Sequence, residues 1–116
     1  MSLTADPKLR KALQLYTFMF GYFPDAWLAV VDVARAGNEQ HNPGEPLHWA
    51  REKSTDQMNA AFNHVFDYGL GEKADTDGCY HLAKAIWRLM AQLQLDIEKG
   101  RIPPQSDLRD TTEKPL

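Results

Sequence analysis

Cysteine is nearly absent: Cys79 is the one cysteine in 116 residues. That excludes an internal disulfide, fits a reducing compartment, and leaves the histidines without a cysteine at zinc-site spacing. Long apolar runs are missing as well, none approaching the roughly 18 residues of a membrane span. The N-terminal MSLTADPKLRK has no apolar signal core, so a soluble, unexported, cytoplasmic protein is expected. No basic excess exists either. Lys and Arg total 13 against 16 Asp and Glu, for a net charge of -3 and a pI near 5.7. A nucleic-acid polymer would find no basic face here, whereas a small phosphorylated ligand needs only a few local cations. Finally, there is no GxSxG elbow, no Walker-type phosphate loop, no internal repeat and no period-two alternation of strand length.

What is present reads as helix. A mass of 13.2 kDa with 43% hydrophobic residues suffices for one core and is too small for two ordinary domains. After Asp6-Pro7, Leu9, Leu13, Tyr16 and Phe20 recur at helical spacing and predict a first helix of about four turns ending at Gly21. A second starts at Phe23-Pro24-Asp25, carries Trp27, Val30, Val31 and Ala34, and stops at Gly37. A third is expected from Ser54, with Ser54 and Gln57 as a capping box, through Met58, Ala61, Phe62 and Val65 to Gly69. The fourth should run from near Thr76 to about Lys99, with Leu82, Ile86, Leu89, Leu93 and Ile97 on one face. Gly100 and Pro103-Pro104 would close it. The expected fold class is all-α, four helices with one long loop between the second and third. Residues 1–104 form one helical domain and 105–116 a polar C-terminal tail. Tyr80 and Trp87 flank the apolar face of the fourth helix, which points to burial on two sides and so to a homo-oligomer.

The loop from Gly37 to Asp56, GNEQHNPGEPLHWAREKSTD, concentrates the unusual chemistry. Pro43, Gly44 and Pro46 prevent a continuous helix, and connections this long are usually binding loops or disordered linkers. Trp49, His41 and His48 argue against a linker. Arg51, Lys53 and the start of the third helix converge in sequence, where free N–H groups and a partial positive charge favour phosphate. The opposing reading is a solvated basic loop paired with Glu52 or Glu45. Trp49 either stacks on a base or plugs down onto the core.

Asp77 and His81 stand at i and i+4, neighbours on one helical face, where they would share a metal or a water with His64 of the third helix. The bland alternative is that Asp77 only favours the helix N-terminus by its charge while His81 lies exposed on the polar face with Lys84 and Arg88. Cys79 shares helical spacing with Leu82, Ala83 and Ile86 and reads as a buried thiol rather than a nucleophile.

Taken together, Gly37-Asn38-Glu39-Gln40-His41-Asn42-Pro43-Gly44, His48-Trp49-Ala50-Arg51 and Lys53-Ser54-Thr55-Asp56 resemble a phage-encoded family named for dATP/dGTP diphosphohydrolase activity. Asn63-His64, Asp75-Thr76-Asp77-Gly78, His81 and Trp87-Arg88 extend the likeness over about residues 24–98. That family looks related to the MazG-like, all-α nucleotide pyrophosphohydrolases. The resemblance implies metal-dependent cleavage of a purine deoxynucleoside triphosphate to monophosphate and pyrophosphate, in a MazG-like bundle, by a homo-oligomer in a host cytoplasm. It implies magnesium or manganese as cofactor; a site of one carboxylate plus imidazoles suits magnesium poorly, and manganese or zinc would tolerate it better. The expected substrate contacts are Asn38, His41, His48, Trp49, Arg51, Lys53, Ser54 and Arg88, the expected catalytic residues His64, Asp77 and His81, and the expected metal ligands Glu39, Asp77 and His81.

This chain departs from the wider superfamily in one respect. A Glu-Glu-x-x-Glu cluster is typical there, and the second helix here offers only Asp32. Three possibilities stay open: carboxylates supplied by Glu39, Glu52 and Asp56, a site rebuilt around His64, Asp77 and His81, or a non-catalytic nucleotide-binding or phage–host interaction protein.

Overall fold

Asp6 starts the first helix as its sequence signal predicts, accepting hydrogen bonds from the backbone N–H of Lys8 (2.9 Å) and Leu9 (3.2 Å) with Pro7 behind it. The computed structural model describes residues 5–100. The polar tail and the Pro103-Pro104 terminator lie outside the described residues. In chain order the elements are α1 (Pro7–Ala12), a π-helical turn (Thr17–Tyr22), α2 (Pro24–His41), α3 (Gln57–Gly69) and α4 (His81–Glu98). Among the described residues there is no strand, only an isolated bridge between Ala74 and Tyr80. The all-α expectation holds.

Three boundaries differ from the sequence reading. The expected four-turn first helix breaks at Leu13, whose ψ of 83° leaves the helical region, and resumes as the π-helical turn across Gly21. Its apolar side chains find little to pack on, with Tyr16 77% exposed. Helices of this length hold together by packing rather than propensity, and Thr, Phe, Gly and Tyr are weak formers. By contrast α2 runs through Gly37 to His41. Arg35 braces that stretch by donating to Asp32 (2.7 Å) and Glu39 (2.8 Å) one turn to either side, against a glycine penalty of about 1 kcal/mol. Lastly, α4 begins at His81 rather than near Thr76. Gly78 takes φ +84°, a left-handed conformation suited to glycine, and the Asp75–Cys79 and Lys73–His81 backbone hydrogen bonds close a tight turn before the helix.

α3 and α4 form an antiparallel pair, since Gln57 meets Arg88 at one end and His64 meets His81 at the other. The buried apolar side chains of these helices are small, Ala61 on α3, Ala83, Ala85 and Ala91 on α4 and Val30 on α2. The predicted apolar stripe of α4 is a separate face. Leu82, Ile86, Leu89 and Leu93 remain 40–49% exposed, as do Phe62 and Phe66 of α3 at above 60%. The radius of gyration, 16.4 Å, exceeds the roughly 13 Å of a compact chain of this length. Among the described residues, many large apolar side chains therefore stay exposed.

Candidate functional site

The seam between α3 and α4 ends in a polar cluster. His64 stands two turns from Gln57 on the inner face of α3, and His81 is the first residue of α4, so the antiparallel pairing brings their rings together. Nδ1 of one lies 3.0 Å from Nδ1 of the other. His81 is buried to 2% exposure, which overturns its reading as an exposed polar-face residue. The turn preceding α4 delivers Asp75, and one ligand atom from each of His64, Asp75 and His81 falls within 4.8 Å of the others.

Lys84, one turn along α4 from His81, fixes the carboxylates of that turn. Its ammonium donates to Asp75 Oδ2 and to Asp77 Oδ2, each at 2.8 Å. Lys84 and then the Thr76 N–H hold the Asp75 carboxyl at about 2, below its ordinary 3.8. Asp77 is lowered too, by Lys84 and by the Cys79 N–H that it accepts at 3.0 Å. Burial first, then the charges of Lys84 and His81, lower His64 below its usual value. At neutral pH the cluster therefore pairs an unprotonated His64 ring with ionised carboxylates, the states that bind a cation.

The anion-binding features lie farther along the same seam. Ser54 and Gln57 do not form the expected capping box, because α3 starts three residues later, with Asp56 as N-cap and no side-chain capping bond. Both instead accept from Arg88 Nη1, Ser54 Oγ at 3.2 Å and Gln57 Oε1 at 3.1 Å. Arg88 sits seven residues from His81, roughly 10 Å along the helix. Leu47 through Lys53 line an open recess of about 740 Å³ that includes His48, Trp49, Arg51 and Lys53. Within it Trp49 meets Trp87 edge to face at 6.1 Å, so the tryptophan plugs onto α4. Arg51 stacks over Trp49 at 4.4 Å and pairs with Glu98.

A family model described as dATP/dGTP diphosphohydrolase, N-terminal, matches residues 5–104. The chain belongs to that family. Its name denotes a hydrolase acting on dATP and dGTP. No curated protein and no solved structure matches the chain.

In this member of the family, the residues singled out from sequence do not all come together. His64 and His81 converge, while Asp77 leaves α4 for the preceding turn and turns its carboxylate to Lys84, so that Asp75 is the acid grouped with the histidines. Glu39 pairs with Arg35 on exposed α2 and joins no group with His81 among the described residues. Asn38 clasps the loop, donating to Glu45 O (3.0 Å) and accepting from His48 N (3.2 Å), and His41 is exposed at the end of α2. Sequence reasoning passed over Asp75, Asp67 and Glu72 as separate actors. The signal for Asp75 was available: Asp-Gly marks a turn, which moves the helix start past Gly78 and detaches Asp77 from His81. Cys79 is buried as expected, with Sγ 3.9 Å from Asp32 Oδ2, and burial pushes its thiol up, away from nucleophilic use.

Proposed function

We propose that the chain is a metal-dependent diphosphohydrolase that cleaves a purine deoxynucleoside triphosphate, dGTP or dATP, to the monophosphate and pyrophosphate. The observation that carries this reading is the convergence of the two Nδ1 atoms beside an ionised carboxylate. Two nitrogens bound to one ion at about 2.0–2.1 Å stand roughly 2.9–3.4 Å apart, between right-angled and tetrahedral arrangements. The 3.0 Å separation of His64 and His81 lies in that range, and without an ion it serves an N–H···N hydrogen bond between unlike tautomers. Two imidazoles and one carboxylate suit zinc, manganese or ferrous iron better than magnesium, which prefers all-oxygen sites.

His64, His81 and Asp75 would hold the cation, which supplies polarisation of a phosphate and acidification of a water. Lys84 positions Asp75 and keeps it charged. Arg88, anchored by Ser54 and Gln57, offers its remaining N–H donors to the phosphate chain near the uncapped first turn of α3. Lys53 and Arg51 of the recess add charge, the latter once released from Glu98. The enzyme acts as a homo-oligomer, a reading supported by the exposed stripe of α4 and the large radius of gyration. With a net charge of -3, its ligand is a nucleotide rather than a nucleic-acid polymer.

The test is incubation of the purified protein with each deoxynucleoside triphosphate and magnesium, manganese, zinc, ferrous iron or chelator, followed by chromatography. Monophosphate plus pyrophosphate from dGTP or dATP, lost with chelator, is the expected outcome. Absence of product under every metal, with a nucleotide-dependent rise in Tm, would replace the hydrolase by a non-catalytic nucleotide-binding protein.

A further inference from the structure

Trp49 stands at the head of a ladder of stacked groups that leads from the loop recess to Arg88. Its half-buried indole is pinned to α4 by Trp87, edge to face at 6.1 Å, and Arg88 lies over the Trp87 ring at 5.9 Å. The guanidinium of Arg51 covers the Trp49 ring, 4.4 Å from its centroid. That cover is itself open to water, the Arg51 side chain being 50% exposed. Arg51 is kept in place by Glu98, whose two oxygens accept from Arg51 Nη1 at 2.7 and 2.5 Å. Glu98 is the last residue of α4, where an acid meets the negative end of the helix dipole. Gln94, one turn earlier, donates to it at 2.8 Å. The acid therefore does nothing for its own helix by its charge, and its effect is to hold Arg51 over Trp49.

We propose that Trp49 is the stacking platform for the purine base, that Arg51 covers it until a nucleotide arrives, and that Glu98 is the latch on that cover. The inference rests on the nucleotide reading of the site given above. A guanidinium and a purine are both flat, and both stack on an indole face, so one excludes the other. Magnitudes favour the purine. An exposed ion pair and an exposed cation–π contact each give a preference of about fivefold at most, whereas a base stacked on an aromatic ring gives about five- to 150-fold. The displaced guanidinium leaves a carboxylate for a phosphate of the same nucleotide, where it makes charge-assisted bonds, so its charge stays paired throughout. One movement thus uncovers the face for the base and delivers a cation to the phosphates. Purines gain more from this platform than pyrimidines, because their π-face is larger.

Isothermal calorimetry on the full chain with chelator present reads these steps apart from turnover, with dGTP, dCTP and inorganic tripolyphosphate as probes. Wild type should bind dGTP at least threefold tighter than dCTP. Trp49→Leu should weaken dGTP at least fivefold and leave tripolyphosphate within twofold. Trp49→Phe, which keeps a ring, should recover most of the loss, and circular dichroism reports whether the variants fold. Equal losses for dGTP and tripolyphosphate, or no loss for either, would overturn the platform. Glu98→Gln should tighten dGTP about two- to fivefold, and the gain should vanish in an Arg51→Met background. The same gain in both backgrounds would assign it to the lost charge alone and overturn the latch. The hydrolytic reading fails on other evidence, the absence of product with every metal. A chain that releases monophosphate with no dependence on Trp49 sinks the platform and leaves that reading standing.

Discussion

Replacing Lys84 by methionine tests the electrostatics of the site in a way that can be worked through from the coordinates. The methionine keeps most of the stem and deletes the ammonium that bonds Asp75 and Asp77 at 2.8 Å each. Asp75 is the better-shielded partner, its side chain 27% exposed against 42% for Asp77, and it is held at about 2 rather than 3.8. That depression corresponds to about 2 kcal/mol of native-state stabilisation at neutral pH. Because the folded-state value is the lower one, the stabilisation is fully present above pH 3.8 and disappears as pH falls through 2. Roughly half should remain near pH 3 and under about 0.5 kcal/mol at pH 2. Urea denaturation of wild type and Lys84→Met, followed by circular dichroism from pH 7 down to 2, should show a gap of up to about 2 kcal/mol that closes over this window, less the share of the Thr76 N–H, which the variant keeps. In a thermal melt at pH 7 the same gap is a fall of about 10 °C. A gap that stays constant with pH would assign the effect to packing of the lysine stem and refute the charge argument.

Other outcomes follow from the same geometry. Asp75→Asn should reduce metal-dependent turnover at least 100-fold, whereas Asp77→Asn, whose carboxylate faces Lys84 and not the histidines, should cost less than tenfold; the reverse order in a pyrophosphate-release assay would restore Asp77 to the centre. Since His64 is lowered below its usual value, protons compete for it only at correspondingly lower pH. Zinc affinity measured against a chromophoric chelator should hold steady from pH 8 to 6.5 and weaken only below that, and a loss beginning above pH 7 would contradict the half-buried, neutral ring. If the proposed homo-oligomer forms through this stripe, Ile86→Glu or Leu93→Glu should give a smaller species than wild type in analytical ultracentrifugation, and a monomeric wild type would remove the premise.

Much of the fold was legible in the residues themselves. Asp6-Pro7, Phe23-Pro24-Asp25 and the stripes of α2, α3 and α4 depend on local backbone preference and on burying one helical face, and both are written in spacing. Family membership was legible too, because the loop and turn motifs are specific in combination. Boundaries were less so: a helix continued through Gly37 where Arg35 bridges it, and failed at Leu13, after which Tyr16 and Phe20 stay exposed and meet chiefly each other.

The amino-acid order by itself determined four helices, a single buried thiol, the long tryptophan-bearing loop and the presence of histidines and acids near the α3–α4 connection. Only the tertiary structure decided which acid meets which histidine. Gly78 turns the chain before α4, which swings Asp77 to Lys84 and Asp75 toward His64 and His81, and antiparallel packing of α3 on α4 buries a histidine that the helical wheel left in solvent. Such meetings join residues many positions apart, and no periodicity within one segment encodes them. The apolar stripe of α4 shows the same limit from the other side: spacing shows that a face is apolar, whereas the fold shows that its residues stay partly exposed among the described residues.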